Sequence, residues 1–246
     1  MTAHYRVLAL DLDGTTLLPD GTLSSETKYW IDQASQAGVL VICATGRGRP
    51  NAEPIWAELC PNSPAVLANG ADIWLNMQAS LERHYMKADY VFRLYELAQK
   101  VGGFYWAYSA NGMIHDGDDI FEHNPGEGWF KFGIHHPDPA VITYVWETAA
   151  AWEGITVTSS HPSNVEVSAQ GVSKKSGVER ICREFGFSLA EVMAIGDSHN
   201  DLELLKAAGL GVAMGNASDE VKAAADKLTK SNAQNGVAHA IQVYLL

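Results

Sequence analysis

The chain has 246 residues, of which 47% are hydrophobic and 19% charged, so it can form a large domain or a core with a smaller second domain. Its formal net charge of −12 opposes general binding to nucleic acid or to an anionic membrane. The three cysteines are scattered without a disulfide or zinc pattern, and the residues before Asp11 lack signal-peptide features. We therefore expect a cytoplasmic protein with neither nucleic acid nor membrane as partner; the oligomeric state has no sequence signal.

Short apolar runs alternate with segments that have helical patterns. The runs are rich in aliphatic residues and lack strict alternation, which is typical of strands buried on both faces of a parallel sheet. The predicted strands are Val7–Leu10, Val39–Ala44, Ala65–Ala68, Val192–Ile195 and Gly211–Met214. Helices are predicted from Ser24 or Ser25 to near Gly38, from Ser173 to Phe185 with Gly186 as the stop, and over Asn200–Ala208 and Ala217–Ala225. This alternation predicts a doubly wound α/β core.

The composition changes in the middle of the chain, where aromatic residues and histidines are concentrated. Asn111-Gly112 lies between two apolar segments, which predicts a hairpin of Phe104–Ser109 and Met113–His115. We also predict helices over Ala88–Val101 and Pro139–Trp152 and strands over Ile155–Ser159 and Asn164–Ser168. Residues 83–162 are thus expected to form an α+β cap domain inserted into a core made of residues 1–82 and 163–246.

Polar residues follow four of the predicted core strands. In an open parallel sheet, ligands bind at the carboxyl ends of the strands. The segments that should meet at this edge are Asp11 to Asp13, Thr45-Gly46-Arg47, Asn69-Gly70 and Gly196-Asp197. Turn residues also follow strands for purely structural reasons, but the residue types here favour a functional site.

The first of these segments carries two aspartates, two positions apart, whose side chains point the same way. Asp11 can attack phosphorus to form an aspartyl-phosphate, and Asp13 can protonate the leaving oxygen and then activate water. Gly14 permits a tight turn, and Thr15 can fix the loop by hydrogen bonding. A lone Asp-x-Asp is common in turns; the pattern Asp11–Thr15 directly after an amino-terminal strand is much more specific.

Asp11, Asp197 and the carbonyl of Asp13 would supply the hard oxygen ligands that Mg²⁺ prefers. Asn200 and Asp201 would support these ligands from the same loop as Asp197. For Asp201 an equally weighted alternative is an acid favoured by the macrodipole at a helix N-terminus. His199 beside them is expected to be exposed, because imidazole is not the preferred donor for Mg²⁺.

Two further residues can handle a phosphate. The hydroxyl of Thr45 and nearby backbone N–H groups can hold a phosphate oxygen, although an ordinary turn threonine fits the spacing equally well. Lys174 lies in the first turn of a helix capped by Ser173, where the dipole disfavours a cation, so an anionic neighbour is expected. Additional candidates for substrate binding are Gly46, Arg47, Asn69 and Asn200.

Two nucleotide-binding patterns receive little support. The chain contains no Gly-x4-Gly-Lys-Ser/Thr, so it is not a P-loop protein. Gly46-Arg47-Gly48 lacks the third glycine and the following acid of a dinucleotide site.

In their order, these motifs resemble those of the haloacid dehalogenase-like (HAD) hydrolase superfamily. Asp11–Thr15 matches its first motif, Thr45 the second, Lys174 the third and Gly196–Asp201 the fourth. The most similar subgroup is the Cof-type phosphatases with a C2B cap. Its pattern is visible in Ala44–Arg47, Asn69–Ala71, Gly171–Lys174, Gly211–Ala217 and Gly236–Ala238. The resemblance covers the whole core, whereas the cap agrees only in position and element type.

The resemblance implies a Rossmann-like core, a mobile cap and an aspartyl-phosphate intermediate. It makes Asp11 the nucleophile, Asp13 the acid/base, Thr45 and Lys174 the phosphate binders, and assigns Mg²⁺ to Asp11, Asp13 and Asp197. We therefore expect Mg²⁺-dependent hydrolysis of small phosphate monoesters, such as sugar phosphates or related metabolites.

The chain departs from the family pattern at Ser198, where many relatives have glycine, and at His199, where an acidic or small residue is common. Three alternatives use the same fold. A phosphomutase would have to keep water from the aspartyl-phosphate, and a phospho-ligand sensor would bind without turnover. Dehalogenase-like chemistry at carbon is disfavoured, because Asp13 supplies the acid/base that phosphoryl transfer needs.

Overall fold

The computed structural model of the protein describes residues 5–118, 120 and 128–246. Its strands are β1 (Val7–Leu10), β2 (Leu40–Ala44), β3 (Ala65–Leu67), β4 (Asp72–Asn76), β5 (Ala79–Arg83), β6 (Phe104–Ser109), β7 (Gly112–His115), β8 (Trp129–His135), β9 (Ile155–Thr158), β10 (Asn164–Ala169), β11 (Val192–Gly196), β12 (Leu210–Ala213) and β13 (Lys227–Leu228). Its helices are α1 (Ser25–Gln36), α2 (Arg49–Leu59), α3 (Ala88–Val101), α4 (Pro139–Ala150), α5 (Lys174–Phe185), α6 (Leu202–Ala207), α7 (Asp219–Ala224) and α8 (Gly236–Ala240). Among the residues described, no helix is both long enough and apolar enough to cross a membrane.

The larger sheet has eight strands in the order β13-β12-β11-β1-β2-β3-β4-β5. Pairing is parallel from β13 to β3 and antiparallel at β4 and β5. The predicted α/β class with a parallel core is confirmed. Strands β4, β5 and β13 were not predicted from the sequence, and the predicted helix from Asn200 begins only at Leu202, after a short helical turn.

The core strands read as continuous apolar runs because both faces of the sheet are covered. In β1, Leu8 and Leu10 enter one hydrophobic cluster, while Val7 and Ala9 enter another on the opposite face. The first cluster includes residues of α1, α2 and α8, and the second includes residues of α5, α6 and α7. Burial on both faces removes the alternation of an exposed strand.

The smaller sheet has five antiparallel strands in the order β7-β6-β8-β10-β9. The predicted hairpin is confirmed, because β6 pairs with β7 across Ala110 and Asn111. The predicted cap ended at residue 162, but β10 pairs with β8 and β9 in this sheet. We therefore propose that the cap extends to about Ala169, since a boundary at 162 would separate β10 from its partners.

The two faces of the cap sheet have different composition. Tyr105, Ala107 and Phe132 face α3 and α4 and form the hydrophobic core of the cap. Residues at alternate positions, including Trp106 and Lys131, lie on the opposite face and border a cavity shared with the core domain. The cap therefore buries its apolar face within itself and presents its mixed aromatic and polar face to the core.

Glycines allow the start of α5 to approach the end of β3. Gly70 has φ of +106°, and a Cβ there would lie 2.3 Å from the carbonyl oxygen of Ser173. Within α5, a Cβ on Gly177 would lie 2.4 Å from Cγ1 of the buried Val66. The Ser173 side chain accepts the N–H of Ser176 and caps the helix. These contacts fix the first residue of α5, Lys174, at the edge where the core strands end.

Substitution of Gly177 by alanine should destabilise the fold by about 1–2 kcal/mol. Overpacking of a buried contact costs roughly 1–3 kcal/mol, and an approach of 2.4 Å belongs to the upper half of that range, so the cost outweighs the roughly 1 kcal/mol that alanine gains over glycine in a helix. Urea denaturation of Gly177→Ala would measure the loss. In a Val66→Ala background the clashing methyls are gone, so the same change should be neutral or stabilising. Unchanged stability of Gly177→Ala alone would contradict this close packing.

Candidate active site

A buried lysine forms the centre of the candidate site. The Nζ of Lys174 lies 2.7 Å from Oδ1 of Asp11 and 2.7 Å from Oδ1 of Asp201, and its side chain is 1% exposed. Burial alone would lower the pKa of Lys174, but the charges of the two carboxylates outweigh it and raise the pKa above its ordinary value. Lys174 is therefore a cation, and the anionic neighbours expected from its place in the helix are present.

Three carboxylates converge at the carboxyl ends of β1 and β11. Asp11, Asp197 and Asp201 each offer one oxygen, and these oxygens all lie within 4.8 Å of one another. Burial raises the pKa of Asp11 well above its ordinary range, an effect that Lys174 opposes and the other two carboxylates reinforce. Burial and then the charge of Asp201 raise the pKa of Asp197 to about 6. Such crowded carboxylates are stabilised by a bound cation.

Hydrogen bonds fix the positions of Asp197 and Asp201 in this cluster. Oδ2 of Asp201 accepts the backbone N–H groups of Asp197 and Ser198, each at 3.1 Å. Oδ1 of Asp197 accepts the hydroxyl of Thr15 at 2.6 Å. A Cβ on Gly14, whose φ is +74°, would lie 2.4 Å from Oδ2 of Asp197. The loops after β1 and β11 are therefore packed directly against each other.

Asp13 lies outside this cluster. Its side chain is 58% exposed, and its carboxylate accepts two hydrogen bonds from the guanidinium of Arg47, from Nε at 2.8 Å and Nη2 at 2.6 Å. The structure therefore pairs the predicted acid/base with a predicted substrate-binding residue. The predicted metal contact of Asp13 concerns its backbone carbonyl and does not need this carboxylate.

Thr45 is fully buried at the end of β2. Its N–H donates to the carbonyl of Val66 at 2.9 Å, and its hydroxyl oxygen accepts the N–H of Arg47 at 3.1 Å. The hydroxyl keeps its own proton for donation. Gly46, the next residue, borders the same cavity as Asp11 and Asp13. The structure therefore places Gly46 in the cavity with Asp11 and Asp13, and Thr45 directly before it in the chain.

A chain of hydrogen bonds connects the core loops to two cap residues. Asn200 Nδ2 donates to Asn69 Oδ1 at 3.1 Å, and Asn69 Nδ2 donates to Glu166 Oε2 at 2.7 Å. Lys131 Nζ lies 2.9 Å from the same Glu166 oxygen and donates to the carbonyl of Gly46 at 2.7 Å. Asn69 has φ of +59°, a rare backbone conformation that concentrates at functional sites. The chain therefore joins the cap to the loops after β2, β3 and β11.

Lys131 and Glu166 were not predicted from the sequence. In each case the sequence could have indicated the residue by a single charge between apolar neighbours of a strand, as in Phe130-Lys131-Phe132 and in Val165-Glu166-Val167. Burial lowers the pKa of Lys131 below its ordinary value, although the charge of Glu166 opposes this. For Glu166, burial raises the pKa, but Lys131 and the hydrogen bonds from Asn69 and Ser160 lower it by more. The pair is therefore held ionised by its own contacts.

A cavity of about 530 Å³ separates the cap from the carboxylates. Asp11, Asp13 and Arg47 line it from the core, and Trp106, Tyr108 and Lys131 line it from the cap. Trp129, by contrast, belongs to the core of the cap, and Phe130 packs between the domains. His199 is exposed, as predicted, and its ring contacts Trp146 edge-on at 5.2 Å.

The family model of the haloacid dehalogenase-like hydrolases matches residues 8–137 and 115–241 of the chain. The chain therefore belongs to this family of hydrolases, as the motif order predicted.

Curated relatives cover the chain almost completely. It is 34% identical to the 5-amino-6-(5-phospho-D-ribitylamino)uracil phosphatase YcsE of Bacillus subtilis, over 98% of this chain and 96% of that protein. It is 27% identical to the pyridoxal phosphate phosphatase YbhA of Escherichia coli, over 98% of this chain and 99% of that protein. These names confirm the prediction that the chain is an enzyme of the HAD phosphatase type.

Solved structures agree in fold. A haloacid dehalogenase-like hydrolase from Bacillus subtilis superposes with a TM-score of 0.91 over 98% of this chain and 100% of that chain, at 23% identity. Another from Bacteroides thetaiotaomicron has a TM-score of 0.82 and 27% identity, over 97% of this chain and 98% of that chain. The predicted fold is thereby confirmed.

Replacement of Glu166 by glutamine should destabilise the protein in a pH-dependent manner. Removing one partner of a buried ion pair costs about 3–5 kcal/mol, so we expect a loss of this size at pH 7. Because the folded-state pKa of Glu166 lies below the ordinary 4.5, its ionised form stabilises the fold above that pH. This stability is lost as the pH falls through the folded-state pKa, so the difference between wild type and variant should shrink in acid.

Urea denaturation of both proteins from pH 7 to pH 3 would measure this difference. Lys131→Met combined with Glu166→Gln leaves no unpaired buried charge and should recover part of the stability at pH 7. A pH-independent difference between wild type and Glu166→Gln would show that the ion pair does not cause the loss.

Proposed function

We propose that this chain is a Mg²⁺-dependent phosphatase that hydrolyses small phosphate monoesters through an aspartyl-phosphate on Asp11. The observation that carries the proposal is the contact of Asp11 with buried Lys174 inside a cluster of three carboxylates. The relatives named for phosphorylated small molecules support this substrate class. The cavity volume of about 530 Å³ also suits a metabolite, because ligand pockets typically measure roughly 300–1,000 Å³.

Asp11 has the features of an oriented nucleophile. Lys174 holds Oδ1 at 2.7 Å, which leaves Oδ2 to attack phosphorus. A bond forms between this oxygen and phosphorus while the ester P–O bond breaks, and Asp13 donates a proton to the leaving oxygen. Asp13 then accepts a proton from water, which attacks the aspartyl-phosphate and releases inorganic phosphate. Lys174 balances negative charge on Asp11 and on the phosphoryl group throughout.

The carboxylate cluster fits a divalent cation. Both oxygens of Asp201 are already engaged, one by Lys174 and one by backbone N–H groups, so we assign it a positioning role. Asp11, Asp197 and the carbonyl of Asp13 would then hold Mg²⁺, with Thr15 orienting Asp197. When bound, Mg²⁺ would neutralise negative charge on the phosphate and the carboxylates.

Phosphate binding would use the loop after β2 together with Lys174. The Thr45 hydroxyl and the Gly46 N–H are the donors in that loop, and Arg47 supplies a second cation. Arg47 pairs with Asp13 at the open side of the site, where both side chains are partly exposed. An incoming phosphate can compete for this guanidinium and so release the Asp13 carboxylate, which can then take up from water the proton that it donates to the leaving oxygen.

Asp11→Asn should fold normally and lose phosphatase activity by roughly 10⁴-fold or more, because an amide oxygen is a poor nucleophile. Lys174 keeps its contact with Asp201 in this variant, so no buried charge is left unpaired. Phosphate release from a panel of phosphate monoesters with Mg²⁺ would measure activity. Asp20→Asn, at an exposed turn, should keep wild-type rates. Substantial activity of Asp11→Asn at saturating substrate would rule out Asp11 as the nucleophile.

Asp197→Asn should abolish most of the stabilisation by Mg²⁺. At a concentration 100 times its Kd, a ligand stabilises the folded state by about 2.7 kcal/mol, which corresponds to several degrees in Tm. Because burial raises the pKa of Asp197, its charge is unfavourable without a cation, and the variant should melt no lower than wild type in EDTA. Thermal melts with EDTA and with Mg²⁺ test this, and an undiminished Mg²⁺ shift in Asp197→Asn would contradict the assignment.

A further inference from the structure

One aromatic side chain of the cap is placed as a binding surface. Trp106 in β6 lies opposite Gly133 of β8 and borders the cavity. A Cβ on Gly133 would lie 2.2 Å from both Cε2 and Cζ2 of the indole. The indole therefore rests across the β8 backbone at a position that only glycine permits. The ring also packs beside Tyr108 and is only partly buried, so the part of it that borders the cavity remains accessible to a ligand.

Tyr108, two residues after Trp106 in β6, packs against the core domain instead. The Tyr108 hydroxyl accepts a hydrogen bond from Asn51 at 3.2 Å, and its ring lies 5.7 Å from Lys131 Nζ. A Cβ on Gly48 would lie 2.3 Å from the Tyr108 ring, so this ring packs on the core domain. Tyr108 thus joins the domains, whereas Trp106 is only partly buried and is placed to contact a ligand.

The cavity has a polar side next to this indole. Lys131 and Glu166 line it as an ion pair, and Ser160 donates to Glu166 at 2.8 Å. The pair has no net charge, but its lysine has a third N–H and its carboxylate has further lone pairs. A neutral group with hydrogen-bonding edges would satisfy them, whereas an all-carbon ring would leave these desolvated groups without a polar partner.

We propose that the leaving group of the substrate carries a planar nitrogen heterocycle that stacks on Trp106 and directs its polar edge to Lys131 and Glu166. The inference rests on the proposed phosphatase function and narrows its substrate class from phosphate monoesters in general. The phosphate would lie at Asp11, and the same cavity has room for a molecule the size of a mononucleotide.

Matched pairs of phosphate esters test the ring directly. Uridine 5′-phosphate is compared with ribose 5-phosphate, and riboflavin 5′-phosphate with ribitol 5-phosphate, since in each pair a hydroxyl replaces the heterocycle at C1. In at least one pair the ring-bearing ester should have a kcat/KM at least tenfold higher, as base–aromatic stacking of ordinary strength gives this factor.

Variants of Trp106 assign that preference to the indole. Trp106→Ala should lower kcat/KM for the preferred ring-bearing ester about tenfold or more and change the ring-free ester less than about threefold. Trp106→Phe should keep most of the preference for the ring-bearing ester, and Trp106→Leu should lose it. This comparison tests the role of the aromatic ring even if the alanine variant does not fold. Trp152→Ala, in the cap but packed against Arg93 away from the cavity, controls for general cap destabilisation.

The outcomes separate the two proposals. The heterocycle proposal would be overturned if ring-free esters were hydrolysed as fast as ring-bearing ones, or if Trp106→Leu lowered kcat/KM equally for both. Either result would leave the proposed phosphatase function unaffected. If no ester released phosphate in the presence of Mg²⁺, both the proposed phosphatase function and the heterocycle proposal would be overturned. A ring preference that is lost in Trp106→Leu and kept in Trp106→Phe and Trp152→Ala would support the inference.

Discussion

Burial of the Lys174 ammonium between Asp11 and Asp201 is the constraint on which the rest of the site depends. A lysine without solvent must be paired, so the start of α5 and the ends of β1 and β11 have to meet within hydrogen-bond distance. Gly70 and Gly177 permit this approach where any side chain would obstruct it. Substrate phosphate would therefore enter a site whose cation is already oriented.

The cavity has two electrostatic environments. Around Asp11 the three carboxylates exceed the single ammonium of Lys174, so the core side attracts cations. On the cap side, Lys131 and Glu166 balance each other, so this region favours a neutral but polar group. Once Mg²⁺ offsets the carboxylates, as proposed, this division would suit a phosphate ester with an anionic end and a neutral remainder. The chain's overall acidity has little part in recognition, because buried local charges dominate at these distances.

Topology explains how much of this could be predicted. The apolar strands and the rule that ligands bind at their carboxyl ends bring Asp11, Thr45 and Asp197 together without knowledge of side-chain contacts. For Lys174, the unfavourable helix dipole in the first turn of α5 predicts an anionic neighbour. The pairing of Lys131 with Glu166 could not be predicted in this way, because it depends on the register of the neighbouring cap strands β8 and β10. The roles assigned to the site residues remain predictions that the proposed variants can test.

The location of the Lys131–Glu166 pair has a consequence for how the enzyme can admit substrate. Both residues lie in the five-stranded sheet that we assign to the cap, so separation of the cap from the core would carry the ion pair away intact. Only neutral partners, the Gly46 carbonyl and the Asn69 amide, would be left behind, and water can replace those hydrogen bonds to charged groups at a net cost of about 1.5–3 kcal/mol each. Substrate entry and product release therefore do not leave an unpaired charge in either the cap or the core.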